Sequence, residues 1–485
     1  MDVPDIQAAP GDVRQAPLGV RFKLLYGSGA LVDGIIAATL IYFLLFYLTA
    51  VCGLSGTFAG TALLVGLLID AVVEPVIGLV SDNTQSRMGR RLPYLLYSTL
   101  PLAIAFALLF SIPPFMSGLS LLFYAGLCSM VVRIGQSVFN IPYVAVGAEV
   151  TDDYAERSSI VSYRVCFSML GIFLAIALGL GVFMSGPDGL LNRQAYIPFG
   201  WTCAAVMVMG GVGGAIATRS VLSRLHVSKP ASGPALRTFW VELRDILHNR
   251  SFVVLFLAVL AFLVGQGMAG ALALYLNRYF WNLSTAAVQL VLVATTLGPF
   301  IGAPITALLA RRIEKKPLVI ANFSIFVLCQ FWPPLARIAG YLPGNGTTVI
   351  AILVANALLA GAVLIGGTIG AQSMMADATD EHEFLFGVRR EGLFFSGLTL
   401  AAKAATGLGG FIAGVALDLI HFPTAIAAKS ANLQLPDGVV RNLGLISGPL
   451  PAIITVLAPL ALVAYTLSRS KHANILTELE RRRLG

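Results

Sequence analysis

Twelve apolar runs, each about 20 residues or longer, dominate this sequence and limit what it can become. Crossing ~30 Å of hydrocarbon takes about 20 apolar residues, and lipid leaves the backbone no partner but itself, so runs of this length predict membrane helices. The runs lie near 24–50, 57–81, 93–113, 118–147, 158–185, 198–218, 252–277, 286–310, 317–338, 347–376, 391–420 and 445–467. Only 12% of the 485 residues are charged, against about 25% in soluble domains. The expected fold class is an all-α polytopic membrane protein.

The net charge of +8 suggests a polyanion partner until its placement is examined. Of 32 Lys and Arg, 24 fall in the N-terminus, the tail and the loops after spans 2, 4, 6, 8 and 10. The opposite loops hold five, and Arg133, Arg164 and Lys403 lie inside spans. That asymmetry predicts both termini in the cytoplasm and no nucleic-acid role. The longest connection, 219–250, divides the spans six and six, the plan of carriers whose two halves rock about a midplane site. The expected units are an N-terminal segment (1–23), a first half (24–218), a linker (219–250) with an amphipathic stretch from Leu236 to Leu247, a second half (251–467) and a helical cytoplasmic tail (468–485). The polar N-terminus has no cleavable signal pattern, so the first span is expected to serve as the insertion signal.

Within span 2, Asp70 and Glu74 are four residues apart and share a helix face. Two such charges ~6 Å apart at an effective dielectric of ~20 repel by roughly 3 kcal/mol. They are therefore expected to hold a proton or a metal cation between them. Asp33 lies inside span 1. Arg133, mid-span 4, reads as the counter-ion of an acid such as Asp33, or as a snorkelling side chain. After span 10, Asp377, Asp380, Glu383, Arg389, Arg390 and Glu391 form a dense polar loop. Together with Asp82, Arg87, Arg90 and Arg91 after span 2, they are expected to form an inner gate of ion pairs; the plainer alternative is a solvated turn. Five scattered cysteines read as small buried hydrophobes, with no metal spacing. Gly27, Gly29, Gly34, Gly78 and Gly171 are expected to let helices approach closely. No nucleophile–base pair or phosphate loop argues for an enzyme.

The run Asp70-x-x-x-Glu74-Pro75-x-x-Gly78-x-x-x-Asp82-Asn83-Thr84-x-x-Arg87-x-Gly89-Arg90, with Pro93, resembles the signature of glycoside–pentoside–hexuronide:cation symporters. These form the melibiose-permease-like branch of the major facilitator superfamily. Asn140-Ile141-Pro142-Tyr143, Arg164 and the loop from Asp377 to Glu391 fit the same pattern. The resemblance implies the major facilitator fold and cation-coupled symport of a sugar, glycoside or hexuronide by alternating access. It places substrate contacts at Asp33, Asn140, Tyr143 and Arg164, and the coupling cation at Asp70 and Glu74 with Ser137 as a further oxygen. Lys403 and Arg133 become coupling residues. No cofactor beyond the coupling ion is implied.

Three departures shape the expectation. Val73 stands where sodium-coupled members commonly carry Asn, which favours a proton over sodium. Asn140 replaces an acid. Val144 replaces the aromatic that stacks on sugar, and span 10 has no Trp, so the platform is absent or rebuilt with Tyr143, Tyr275 or Phe394. Three intramembrane cations and Asn140 tilt the expected solute toward an anionic glycoside such as a hexuronide. A carrier of an amphiphile such as a lysolipid, and a non-transporting receptor or scaffold, are the rival readings. The partners expected are a small solute, a monovalent cation and the bilayer of an inner membrane, with the protein a monomer.

Overall fold

The computed structural model describes residues 18–484 except 152, 187, 223–245, 389–390 and 425–434. The N-terminal segment 1–17, most of the linker with its amphipathic stretch, and Arg389 and Arg390 of the expected gate lie outside the described residues, as does the side chain of Glu391.

Among the described residues, twelve helices are long and apolar enough to cross a membrane: α1 (Val20–Val51), α2 (Gly56–Asn83), α3 (Leu92–Leu109), α4 (Gly118–Glu149), α5 (Ala155–Phe183), α6 (Arg193–Ser220), α7 (Arg250–Phe280), α8 (Thr285–Leu309), α9 (Lys315–Ile338), α10 (Thr347–Phe386), α11 (Gly397–Leu419) and α12 (Asp437–Val463). A thirteenth, α13 (Arg469–Leu484), follows the last span. Several starts are fixed by side chains that accept an otherwise unpaired backbone N–H: Ser55 from Phe58, Asn249 from Phe252, and Ser284 from Ala287. Helices α1–α6 pack as one half and α7–α12 as the other. With an even number of spans, both ends of the chain lie on one face, here called the terminal face; the other is the far face.

Small residues set the closest approaches. A Cβ on Gly34 would stand 2.0 Å from the Ser168 carbonyl oxygen, and one on Gly414 would stand 2.1 Å from that of Gly56. The first contact seats α1 on α5; the second seats α2 on α11 across the halves. Gly27, Gly29 and Gly171 are also tight, with a Cβ 2.7 to 2.8 Å from its neighbour, but Gly78 has open space around it and does not seat a neighbouring helix. Helix α10, at 40 residues, extends ~60 Å, about twice the hydrocarbon thickness. Its last turns leave the membrane and receive α13, whose Ile475 and Leu479 are buried there.

Among the described residues, ion pairs and side-chain hydrogen bonds between the halves lie at mid-span or the far face. Arg278 pairs with Asp188 at 3.7 Å, Thr285 donates to the Gly186 carbonyl at 2.9 Å, and the Thr49 and Tyr275 hydroxyls are joined. Asp418 of α11 accepts the backbone N–H groups of Gly56 and Thr57 at 2.8 and 2.7 Å. A carboxylate on a helix N-terminus gains from both the unpaired donors and the helix dipole. This latch ties α2 to α11 at the far face. Asp418→Ala is expected to loosen that end, so that Cys52, 8% exposed at the end of α1, reacts several-fold faster with a membrane-impermeant maleimide. An unchanged rate would mean the far face is closed by packing alone.

Among the described residues, no ion pair joins the expected gate groups of α2 to those of α10; Arg389, Arg390 and the Glu391 side chain lie outside them. Arg90 and Arg91 both reach Glu149 at the end of α4, at 2.9 and 2.7 Å, and Arg91 also holds Asp82 at 2.7 Å. Arg87 is exposed. Across the molecule, Asp377 takes Lys315 at 2.7 Å, His472 sits 3.0 Å from Asp380, and Lys471 holds Glu381 at 2.7 Å. These described pairs lie within each half, and Asp380 and Glu381 of α10 face the tail helix. Glu383 lies on the same α10 extension. The reason is geometric: α13 is adjacent in space, whereas α2 is on the other half.

Candidate cation and substrate site

Gly66, Asp70 and Glu74 are spaced four apart and form one row along α2. The Arg133 stem lies over Gly66, where a Cβ would stand 3.4 Å from its Cγ and Nε. Its guanidinium then donates to Asp70 Oδ2 at 3.0 Å and to Thr406 Oγ1 of α11 at 3.0 Å. Ser137, one turn along α4, donates to Asp70 Oδ1 at 3.3 Å. From α11, Lys403 Nζ donates to Glu74 Oε1 at 2.5 Å and lies 3.6 Å from Asp70 Oδ1. Asp70 is 1% exposed and Arg133 5%, while the Lys403 and Glu74 side chains keep 20% and 27%. The Lys403–Glu74 end is therefore the less enclosed one.

This arrangement corrects the expectation of two bare carboxylates needing a proton or metal. Two acids face two bases, and the cluster carries no formal charge. Repulsion of roughly 3 kcal/mol between the acids is offset by cations at contact distance. Arg133 is the partner of Asp70, not of Asp33. Lys403 reaches both acids from the other half of the molecule.

A second polar group lies between α1, α4 and α5. Asp33, half-buried, accepts from Gln136 Nε2 at 3.0 Å. Arg164 of α5 is near enough to act electrostatically on Asp33 and on the Tyr26 hydroxyl. Asn140, partly exposed, follows Gln136 by one turn on α4. Tyr143 departs from the expected role as a solute contact. It is 1% exposed, its ring stacks on Tyr26 with centroids 4.6 Å apart, and its hydroxyl donates to the Tyr26 carbonyl at 2.5 Å. Tyr26 returns a bond to the Tyr143 carbonyl at 2.6 Å. This reciprocal lock joins α1 to α4 and presents no face to a ligand. Nor are the other aromatic candidates open: Tyr275 is bonded to Thr49, and Phe394 lies edge-on to Phe252 at 4.7 Å.

Three participants went unrecognised in the sequence. Gln136 carried a signal, as a second intramembrane amide one turn before Asn140. Thr406 lies three residues after Lys403, on the same face. Glu149, the hub of the α2–α4 terminal-face pairs, had none beyond its place at the end of a span.

The profile for MFS/sugar transport protein matches residues 25–469. The chain belongs to this family. Its relatives include an uncharacterized symporter of Synechocystis sp. (strain ATCC 27184 / PCC 6803 / Kazusa), 24% identical over 95% of this chain and 96% of that one. The glucuronide carrier protein homolog of Escherichia coli (strain K12) is 27% identical, with 91% of each chain covered. Among solved structures, a D-xylose–proton symporter superposes with TM-score 0.61 at 15% identity, covering 92% of this chain and 98% of that one; this likeness shows the fold alone. The chain is thus an integral membrane carrier with the two-half major facilitator architecture, and not an enzyme.

Proposed function

We propose that this family member is a cation-coupled symporter of a sugar, glycoside or hexuronide in a bacterial-type inner membrane, with both termini in the cytoplasm. The observation that carries the reading is the charge cluster Arg133–Asp70–Lys403–Glu74, which joins α4 and α2 of one half to α11 of the other at mid-span. In that orientation the described polar ties between the halves lie at mid-span and on the outer face, the pattern of a carrier closed outward.

Coupling follows from competition. Lys403 is the resident cation of Glu74, and an incoming cation must displace it or neutralise its partner. A proton on Glu74 removes the 2.5 Å ion pair and leaves Lys403 only Asp70, 3.6 Å away, which loosens α11 from α2. The same event that loads the cation thereby weakens one mid-span tie between the halves. A proton suits this geometry better than sodium, which needs several oxygens where the site offers Asp70, Glu74 and Ser137. Asp33, Gln136, Asn140 and Arg164 form the solute contacts, mixing a carboxylate, two amides and a guanidinium that can clasp hydroxyls and, through Arg164, a uronate carboxylate. The Escherichia coli relative named as a glucuronide carrier homolog supports that solute class.

The test is uptake of radiolabelled methyl glucuronide into proteoliposomes under an imposed gradient. Accumulation driven by an inward proton gradient and not by sodium is the expected result. Uptake driven by neither contradicts the proposal.

A further inference from the structure

A second polar cavity lies in the far-face portion of the other half, away from the charged cluster. It measures about 160 Å³ and is bounded by α7, α8, α9, α10 and the start of α12, with Tyr42 of α1 entering from the first half. By the same measure one water needs about 10–15 Å³, so the space holds on the order of ten. None of its lining residues is charged. Its walls are largely apolar, with Trp281 and Phe326 among them, yet four polar groups are left open. Ser447, 4% exposed, has a buried hydroxyl with no partner. Gln330 accepts from Thr455 Oγ1 at 3.3 Å, which fixes the amide and leaves its buried Nε2 unpaired. The Tyr42 hydroxyl and the Gln266 amide form no hydrogen bond with the described residues. Gly270 lets α1 approach α7 beside the cavity, since a Cβ there would stand 2.5 Å from the Ile41 Cγ2.

Buried donors without partners in an apolar wall call for an occupant that supplies hydrogen bonds. The absence of charge on the lining excludes an ion, whose desolvation nothing there would offset. The volume falls below the ~300–1,000 Å³ of pockets for drug-sized ligands. We propose that this cavity is a second binding site, separate from Asp33 and Arg164, for a small uncharged hydroxyl-bearing solute of monosaccharide or polyol size. Tyr42 and Asp33 are nine residues apart on α1, on the order of 13 Å along the helix, so one such solute does not span both sites. An occupant touches Tyr42 of one half and Gln266 and Gln330 of the other, and so favours the far-face-closed arrangement.

The probe is methyl β-D-glucopyranoside, followed by saturation-transfer NMR on the full chain in phosphatidylethanolamine/phosphatidylglycerol nanodiscs. These discs contain no glycoside detergent or glycolipid to occupy the site first. Transfer is expected in the wild type and in Asp33→Asn, and at least five-fold less in Gln330→Leu combined with Ser447→Ala. Tyr42→Phe, which removes one hydroxyl and keeps the ring, gives a partial loss and guards against misfolding of the double variant. No transfer in the wild type means the cavity holds water only and overturns the proposal. Transfer lost in Asp33→Asn but unchanged by the cavity substitutions assigns the binding to the other site and overturns it equally. Gradient-driven uptake survives either failure, so the proposed symport is tested separately.

Discussion

Glu74→Gln and Asp70→Asn carriers will bring labelled solute to equilibrium across a proteoliposome membrane and no further. A gradient of two pH units drives up to about 100-fold accumulation at one-to-one coupling, at 1.4 kcal/mol per factor of ten. Both variants are expected to fall to a ratio near one. In Glu74→Gln the Lys403 ammonium keeps Asp70 at 3.6 Å as its remaining acid, and the exposed end of the cluster no longer has a group to protonate. The link between cation loading and release of α11 is cut, while the solute contacts of α1, α4 and α5 are untouched. Exchange of internal for external solute therefore persists. By reciprocity, a cation that no longer raises solute affinity is no longer held more tightly by solute. Concentrative uptake at wild-type levels in both variants would remove the cluster from the coupling mechanism.

Arg133→Leu will be the most destabilising single change in the site. Asp70 is 1% exposed, and the guanidinium 3.0 Å away is its nearest cation. Stripping one member from a buried pair costs about 3–5 kcal/mol, because the other charge stays desolvated. Lys403 at 3.6 Å and Ser137 at 3.3 Å remain, which sets the expectation at about 3 kcal/mol, the lower end. The double variant Arg133→Leu with Asp70→Leu is expected to recover much of the loss, since a buried pair replaced by apolar groups is often neutral or stabilising. Thermal unfolding of the purified single and double variants checks this. A single variant that melts with the wild type, or a double that melts below the single, would contradict the pairing.

The membrane helices were legible because lipid offers the backbone no alternative partner, so an apolar run of sufficient length has one outcome. The exception is α10, whose last turns, 377–386, look like a loop in a hydropathy reading. They remain helical because α13 covers them, a contact made by residues about 90 positions away. The acids Asp70 and Glu74 were legible as a site from their cost in hydrocarbon. Their neutralisation was not, since Arg133 and Lys403 come from elements 63 and 329 residues distant. Tyr143 shows the converse limit. Its position in a motif marked it as a ligand contact, but only the packing of α1 on α4 reveals that Tyr26 already occupies both its ring face and its hydroxyl. The gate residues are legible as a dense charged set, yet the partners of the described ones are set by which helix ends are neighbours in space.

Solute-driven proton movement tests the account most directly. Proteoliposomes loaded with a pH-sensitive dye, with no gradient imposed, are given external solute. The wild type should acidify the lumen as solute enters, and Glu74→Gln should admit solute with no acidification. Equal acidification by the two, or solute entry into wild-type vesicles that moves neither protons nor sodium, would contradict it.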